Sequence, residues 1–169
     1  YSLVSIPHLD TSKVTSMSTM FYYCYSLVSI PHLDTSKVTS MSNMFRQCHS
    51  LVSIPQLDTS NVTSMSNMLG ECQSLVSTPY LDMQNATSMV SMLINCYSTT
   101  TANLANLKRS LDIKNSALFS KESLLYIINN EAAESAITIT LHSYAYTRLA
   151  EDADVVAALA NHPNISIAK

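Results

Sequence analysis

Cys24, Cys48, Cys72 and Cys96 stand 24 residues apart, and so do Asp10, Asp34, Asp58 and Asp82. Thiols and carboxylates are the residue types of zinc, disulfide and calcium chemistry, so the spacing decides what either set can do. Zinc sites draw paired ligands from positions a few residues apart, which a 24-residue interval does not supply. Stacked side chains in register point the same way, a poor geometry for a disulfide. The four cysteines are therefore expected to be reduced, buried packing residues. A calcium row down the aspartates lacks the dense oxygen loop that calcium takes. Each Asp is expected to cap its own turn by accepting from backbone amides two residues on. His8 and His32 share one slot with Gln56 and Tyr80, a mixture too varied for a metal ligand or a general base. No metal, cofactor or catalytic residue is expected.

The elements that position these residues follow from the period. Residues Tyr1–Cys24 and Tyr25–Cys48 both begin YSLVSIPHLDTSKVTSMS, and His49–Cys72 and Gln73–Cys96 are drifting copies. Self-similarity at a period of about 20–50 residues marks a solenoid. A repeat spreads its chemistry evenly over many rungs, whereas catalysis gathers different groups at one point. The pattern argues for a surface, not an active site.

Within the second repeat, Met41, Met44, Phe45 and Cys48 fall at i, i+3, i+4 and i+7. That spacing predicts one face of a short helix, with Ser40 as N-cap. Leu27–Ile30, bounded by Pro31, predicts a short strand feeding a parallel ladder. Asp34-Thr35-Ser36 supplies a corner. The stripe Met17, Met20, Met41, Met44, Met65 and Met68 is expected in the core. No single turn can bury its apolar edge; stacked turns make one continuous core.

Composition excludes several function classes. The net charge of −3, without a basic cluster, lacks the electrostatic footprint of a nucleic-acid binder. No apolar run approaches the roughly 20 residues of a membrane-spanning helix. A single glycine, Gly70, excludes phosphate-cradling loops and dinucleotide fingerprints. The chain opens inside a repeat, without an initiator Met or signal peptide, and is expected to be a piece of a longer protein.

Three slots vary while the core positions hardly do. One holds His8, His32, Gln56 and Tyr80; a second holds Tyr1, Tyr25, His49, Gln73 and Tyr97. The third holds Tyr22-Tyr23, Arg46-Gln47, Gly70-Glu71 and Ile94-Asn95. Ligand contact is expected there, through His8, His32, Gln56, Tyr80, Tyr25, His49, Gln73 and Tyr97 in particular.

Leu27-x-x-Ile30-x-x-Leu33 followed by Val38-x-x-Met41-x-x-Met44-Phe45-x-x-Cys48 resembles the BspA-like leucine-rich repeat of bacterial surface proteins, whose pattern is roughly LxxIxLPxxLxxIxxxAFxxC. DTSKVTSMSNMF is similar to the DTSxVTxMxxMF repeat subfamily of bacterial surface lipoproteins, including those of gut bacteria. The resemblance covers residues 1–96. It implies an α/β solenoid: a leucine-rich-repeat-like, right-handed stack of short parallel strands and short helices. It further implies placement at the cell surface or secretion, binding to a protein or glycan of host or bacterial surfaces, and no catalytic residues.

Residues 97–169 break the period and are expected to form a C-terminal capping region of irregular strand–helix rungs. Expected there are strands at Leu111-Asp112-Ile113, Ile137–Leu141 and Ile165-Ser166-Ile167. Helices are expected over Ser120–Asn130, His142–Leu149 and Asp152–Ala160. His142 and His162 stand isolated, and a hydrolase site in this region is the remote alternative. A spacer repeat without a specific ligand is the nearer one. The first rung, with Leu3, Ile6, Val14, Met17 and Phe21 at its margin, is expected to self-associate because open edges template pairing.

Overall fold

The computed structural model describes residues 2–132 and 136–169. The four 24-residue units stack as rungs, and backbone hydrogen bonds between equivalent positions hold them together. Met17, Thr19, Phe21 and Tyr23 donate their amides to the carbonyls of Ser40, Ser42, Met44 and Arg46 in the second rung. The same four columns recur from the second rung to the third, where Met41, Asn43, Phe45 and Gln47 donate to Ser64, Ser66, Met68 and Gly70. They recur once more at Met65, Asn67, Leu69 and Glu71. Ser16, Ser40, Ser64 and Ser88 form successive parallel bridges beside them. Running the other way, Thr39, Thr63 and Thr87 donate to the threonine carbonyl one rung earlier.

That ladder overturns the expected helix at Met41–Cys48. Every second amide leaves the rung for its neighbour, whereas a helix keeps all of them inside. The amides of Met44 and Cys48 close turns onto Met41 and Phe45 at 3.1 and 3.0 Å. The third residue of each turn, Asn43 (φ 56°) or Gln47 (φ 63°), lies in the left-handed region, as type II turns require. Two four-residue turns in tandem bring positions i, i+3, i+4 and i+7 to one side as a helix does. Ser40 is therefore not an N-cap; it carries the parallel bridge.

The expected strand at Leu27–Ile30 is reduced to one rung-to-rung bond, Val28 N–H to Val4 O, repeated at Val52 and Val76. Pro7, Pro31 and Pro55 follow close behind and have no amide to donate to a ladder. Only the fourth rung forms a regular strand here, β1 (Ser77–Asp82), paired in parallel with β2 (Thr101–Ala105). Its register shifts between Ser77 and Tyr80, around Pro79, as proline inside a strand demands.

Apolar columns fill the interior: Met41 and Met65, Phe45 and Leu69, Leu27 and Leu51, Leu33 and Leu57, and Val38 and Val62 are all at most 1% exposed. Phe21 stacks on Phe45 with ring centroids 5.4 Å apart. Buried Thr11, Thr35 and Thr59 each donate a hydroxyl to the next rung's Asp carbonyl, which satisfies a polar group inside the stack. Met20 departs from the expected stripe and is 38% exposed, while Met44 and Met68 are buried. At the same margin Leu3 is exposed and Ile6 and Val14 are partly buried, but Met17 and Phe21 are buried.

Beyond residue 97, strand β2 is not among the elements expected from the sequence, whereas the later ones lie where the sequence places them. They are β3 (Leu111–Ile113), α1 (Lys121–Asn129), β4 (Ile137–Leu141), α2 (Ser143–Leu149), α3 (Ala153–Asn161) and β5 (Ile165–Ala168). Strands β3, β4 and β5 make one parallel sheet with Leu111 opposite Ile139 and Ile139 opposite Ile167. Ser120 caps α1 by accepting from the Ser123 amide, and Asp152 caps α3. Of the helix residues expected to face inward, Leu124, Ile127 and Ile128 are buried and Leu125 is partly so.

Candidate ligand-contact surface

The two combs of chemically capable residues are structural. The four cysteines are free and buried. The thiols of Cys48, Cys72 and Cys96 donate to the carbonyls of Phe21, Phe45 and Leu69, each at 3.1 Å. Burial pushes the Cys48 and Cys96 thiols up to about 12 and raises Cys72 well above its ordinary value. These are protonated donors, not nucleophiles. Asp10, Asp34 and Asp58 each accept from the amide and hydroxyl of the serine two residues on, the expected turn cap. For Asp34 the Ser36 hydroxyl, then the Ser36 amide, hold the carboxyl below its ordinary value. Among the described residues no group of three or more His, Cys, Asp and Glu could hold a metal ion.

Several of the variable positions gather in two places. A groove of about 360 Å³ opens on the second to fourth rungs, lined by His32, Gln56, Asp58, Ser60, Tyr80 and Asp82 among others. Gln56 bridges two rungs, since its Nε2 donates to the carbonyls of Leu57 and Tyr80 at 3.0 and 2.7 Å. Tyr80 is 43% exposed. Burial of the Tyr80 phenol, then the nearby Asp82 carboxylate and Tyr126, raise it above its ordinary value, so it stays a donor at neutral pH.

The second place is a string of rings on the first three rungs. Centroids of Tyr22 and Tyr23 lie 4.0 Å apart, those of Tyr23 and Tyr25 5.6 Å, and those of Tyr25 and His49 4.9 Å. A polar relay runs beside them: the Tyr25 hydroxyl donates to Gln47 Oε1, Gln47 Nε2 donates to Glu71, and Arg46 pairs with Glu71 at 3.3 Å. Arg46 Nε and His49 Nε2 are buried here without a hydrogen-bond partner among the described residues. His8, Gln73 and Tyr97 are exposed but join neither cluster, and Tyr1 lies outside the described residues.

Asp58 and Asp82 enter the groove although sequence reasoning confined them to turn capping. The signal was present: each stands two residues after the variable slot, and in an extended segment residues i and i+2 share a face. The two isolated histidines of the C-terminal region have local roles. His142 Nδ1 accepts the Tyr144 amide at the start of α2, and His162 Nδ1 lies 3.4 Å from Glu131. No helix among the described residues is long and apolar enough to cross a membrane.

Neither the curated proteins nor the solved structures contain a match to this chain. One family profile matches, described as "Mycoplasma protein of unknown function, DUF285", over residues 2–107, which takes in all four rungs and β2. The match spans more than half of the sequence, and the repeat family it defines is associated with BspA-like surface proteins. The chain belongs to this family, DUF285.

Proposed function

We propose that the protein is a non-catalytic binding scaffold, an α/β solenoid of leucine-rich-repeat type displayed at a bacterial cell surface for adhesion to a protein or glycan. The observation that carries this reading is the division of labour within each rung. Ladder amides, core side chains, thiols and turn aspartates keep the same partners from rung to rung. Of the side chains that change, His32, Gln56 and Tyr80 gather into a groove and Tyr22, Tyr23, Tyr25 and His49 into an aromatic string. Tyrosines at the surface, Tyr22 and Tyr23 partly exposed near Arg46 and Tyr25 and Tyr80 exposed, are of the residue types enriched in binding hot spots. The spacer reading predicts instead a uniform Ser/Thr exterior, which Tyr22, Tyr23, Tyr25, Gln56 and Tyr80 interrupt.

The test is retention of the intact chain on immobilised host extracellular-matrix proteins and oligosaccharides. Saturable retention by at least one surface is expected. Absence of saturable retention on every surface would leave the spacer reading.

A further inference from the structure

Resting on the scaffold reading, we infer that the groove between the second and fourth rungs is a subsite for a pyranose ring of a neutral saccharide. The groove leaves several acceptor atoms unsatisfied. Gln56 spends its Nε2 on two backbone carbonyls, and among the described residues its Oε1 takes no hydrogen bond. Asp58 receives both of its bonds, from the Ser60 amide and hydroxyl, on Oδ1. Asp82 likewise receives the Gln84 amide and Asn106 Nδ2 on Oδ1. Both Oδ2 atoms are left as acceptors in the same column, one rung apart, a spacing of about 4.8 Å in a parallel ladder. Three acceptors without a protein partner among the described residues thus belong to side chains that line one groove with the half-exposed Tyr80.

A polyol face fits this set. Its hydroxyls donate to Oε1 and the two Oδ2 atoms, its C–H face lies on the Tyr80 ring, and the protonated Tyr80 phenol donates back. Pockets for small ligands run from roughly 300 to 1,000 Å³; a groove of about 360 Å³ has the size of a short sugar, not of a protein element. Charge selects further. Sulfated or carboxylated sugars meet Asp58 and Asp82 as like charges. A calcium ion needs roughly six to eight oxygens, more than the groove offers. An ammonium gains little from carboxylates so exposed to water.

The experiment is titration calorimetry of the intact chain, preceded by a screen of neutral, amino and acidic oligosaccharides. The neutral N-acetylglucosamine trimer, its cationic deacetylated form and a heparin tetrasaccharide serve as reference probes. Expected is binding of at least one neutral oligosaccharide, unchanged by added salt. That affinity is expected to fall about tenfold in Tyr80→Ala, the worth of one aromatic contact. Asp58→Asn/Asp82→Asn is expected to weaken it as well, because each amide keeps the Oδ1 bonds and replaces the free acceptor with a donor. Binding confined to the cationic trimer and abolished by salt would overturn the inference in favour of a cation site. So would binding of heparin, absence of any neutral ligand, or a neutral ligand indifferent to Tyr80→Ala. Retention on a protein surface without any saccharide binding would overturn this inference alone and leave the scaffold reading standing.

Discussion

The Cys48 thiol donates to the carbonyl of Phe21 across 3.1 Å, and that carbonyl also accepts the Cys24 amide of its own rung. The same arrangement joins Cys72 to Phe45 and Cys96 to Leu69. A repeating cysteine is thereby explained as a hydrogen-bond donor stitched between rungs, a role that requires the protonated thiol.

Native Cys48 and Cys96, buried and held protonated, should therefore react with a thiol reagent far more slowly near neutral pH than the same thiols in the denatured chain. All four thiols should react after denaturation without reductant; fewer would reveal disulfides. Because the folded-state values lie above the unfolded ones, this contribution to stability is complete below pH 9 and is lost as pH rises toward 12. Chemical denaturation across that alkaline range measures it, and a flat profile would contradict it.

Asn43 distinguishes tandem turns from a helix. At φ 56° a β-branched side chain is strained, so Asn43→Val should cost about 1–2 kcal/mol, whereas Asn43→Gly should be close to neutral. The same pair in a helix would reverse in order, since glycine is the poorer helix former. Urea midpoints of the two variants decide between them.

Asp34 owes its lowered value first to the Ser36 hydroxyl. In Ser36→Ala, an NMR titration should find the Asp34 carboxyl shifted upward relative to the parent. A depressed carboxylate adds stability that is present above its unfolded value of 3.8 and lost as pH falls through the folded one. The variant should lose less on acidification, and an unmoved titration would assign the shift elsewhere.

Phe45 and His32 separate the inward from the outward face. Phe45 is fully buried, and its replacement by Ala should cost roughly 3–5 kcal/mol. His32→Ala, on the exposed groove wall, should stay within about 0.5 kcal/mol. Comparable losses would mean that the faces have been interchanged.

The period, the buried columns and the turn aspartates were legible because each depends on local pattern. The conformation at Met41–Cys48 was not, because a helix and two tandem turns place the same residues inward. What separates them is the destination of the Met41, Asn43, Phe45 and Gln47 amides, a contact 23 residues away that no local window contains. Proline position gave a partial signal for the weak strand at Leu27–Ile30. Of the surface, the slots themselves were legible. Their sorting was not, since it depends on how rungs place Tyr23 beside Tyr25 and Gln56 beside Tyr80.

Under the proposed function, the ladder holds the fold while the variable side chains hold the ligand. The most direct measurement compares the intact chain with a Tyr23→Ser/Tyr25→Ser/Gln56→Ser/Tyr80→Ser variant, by urea denaturation and by retention on the matrix-protein and oligosaccharide surfaces. The predicted result is a cooperative unfolding transition in both chains and retention in the parent only. Retention undiminished in the variant, or absent from both chains, would contradict it.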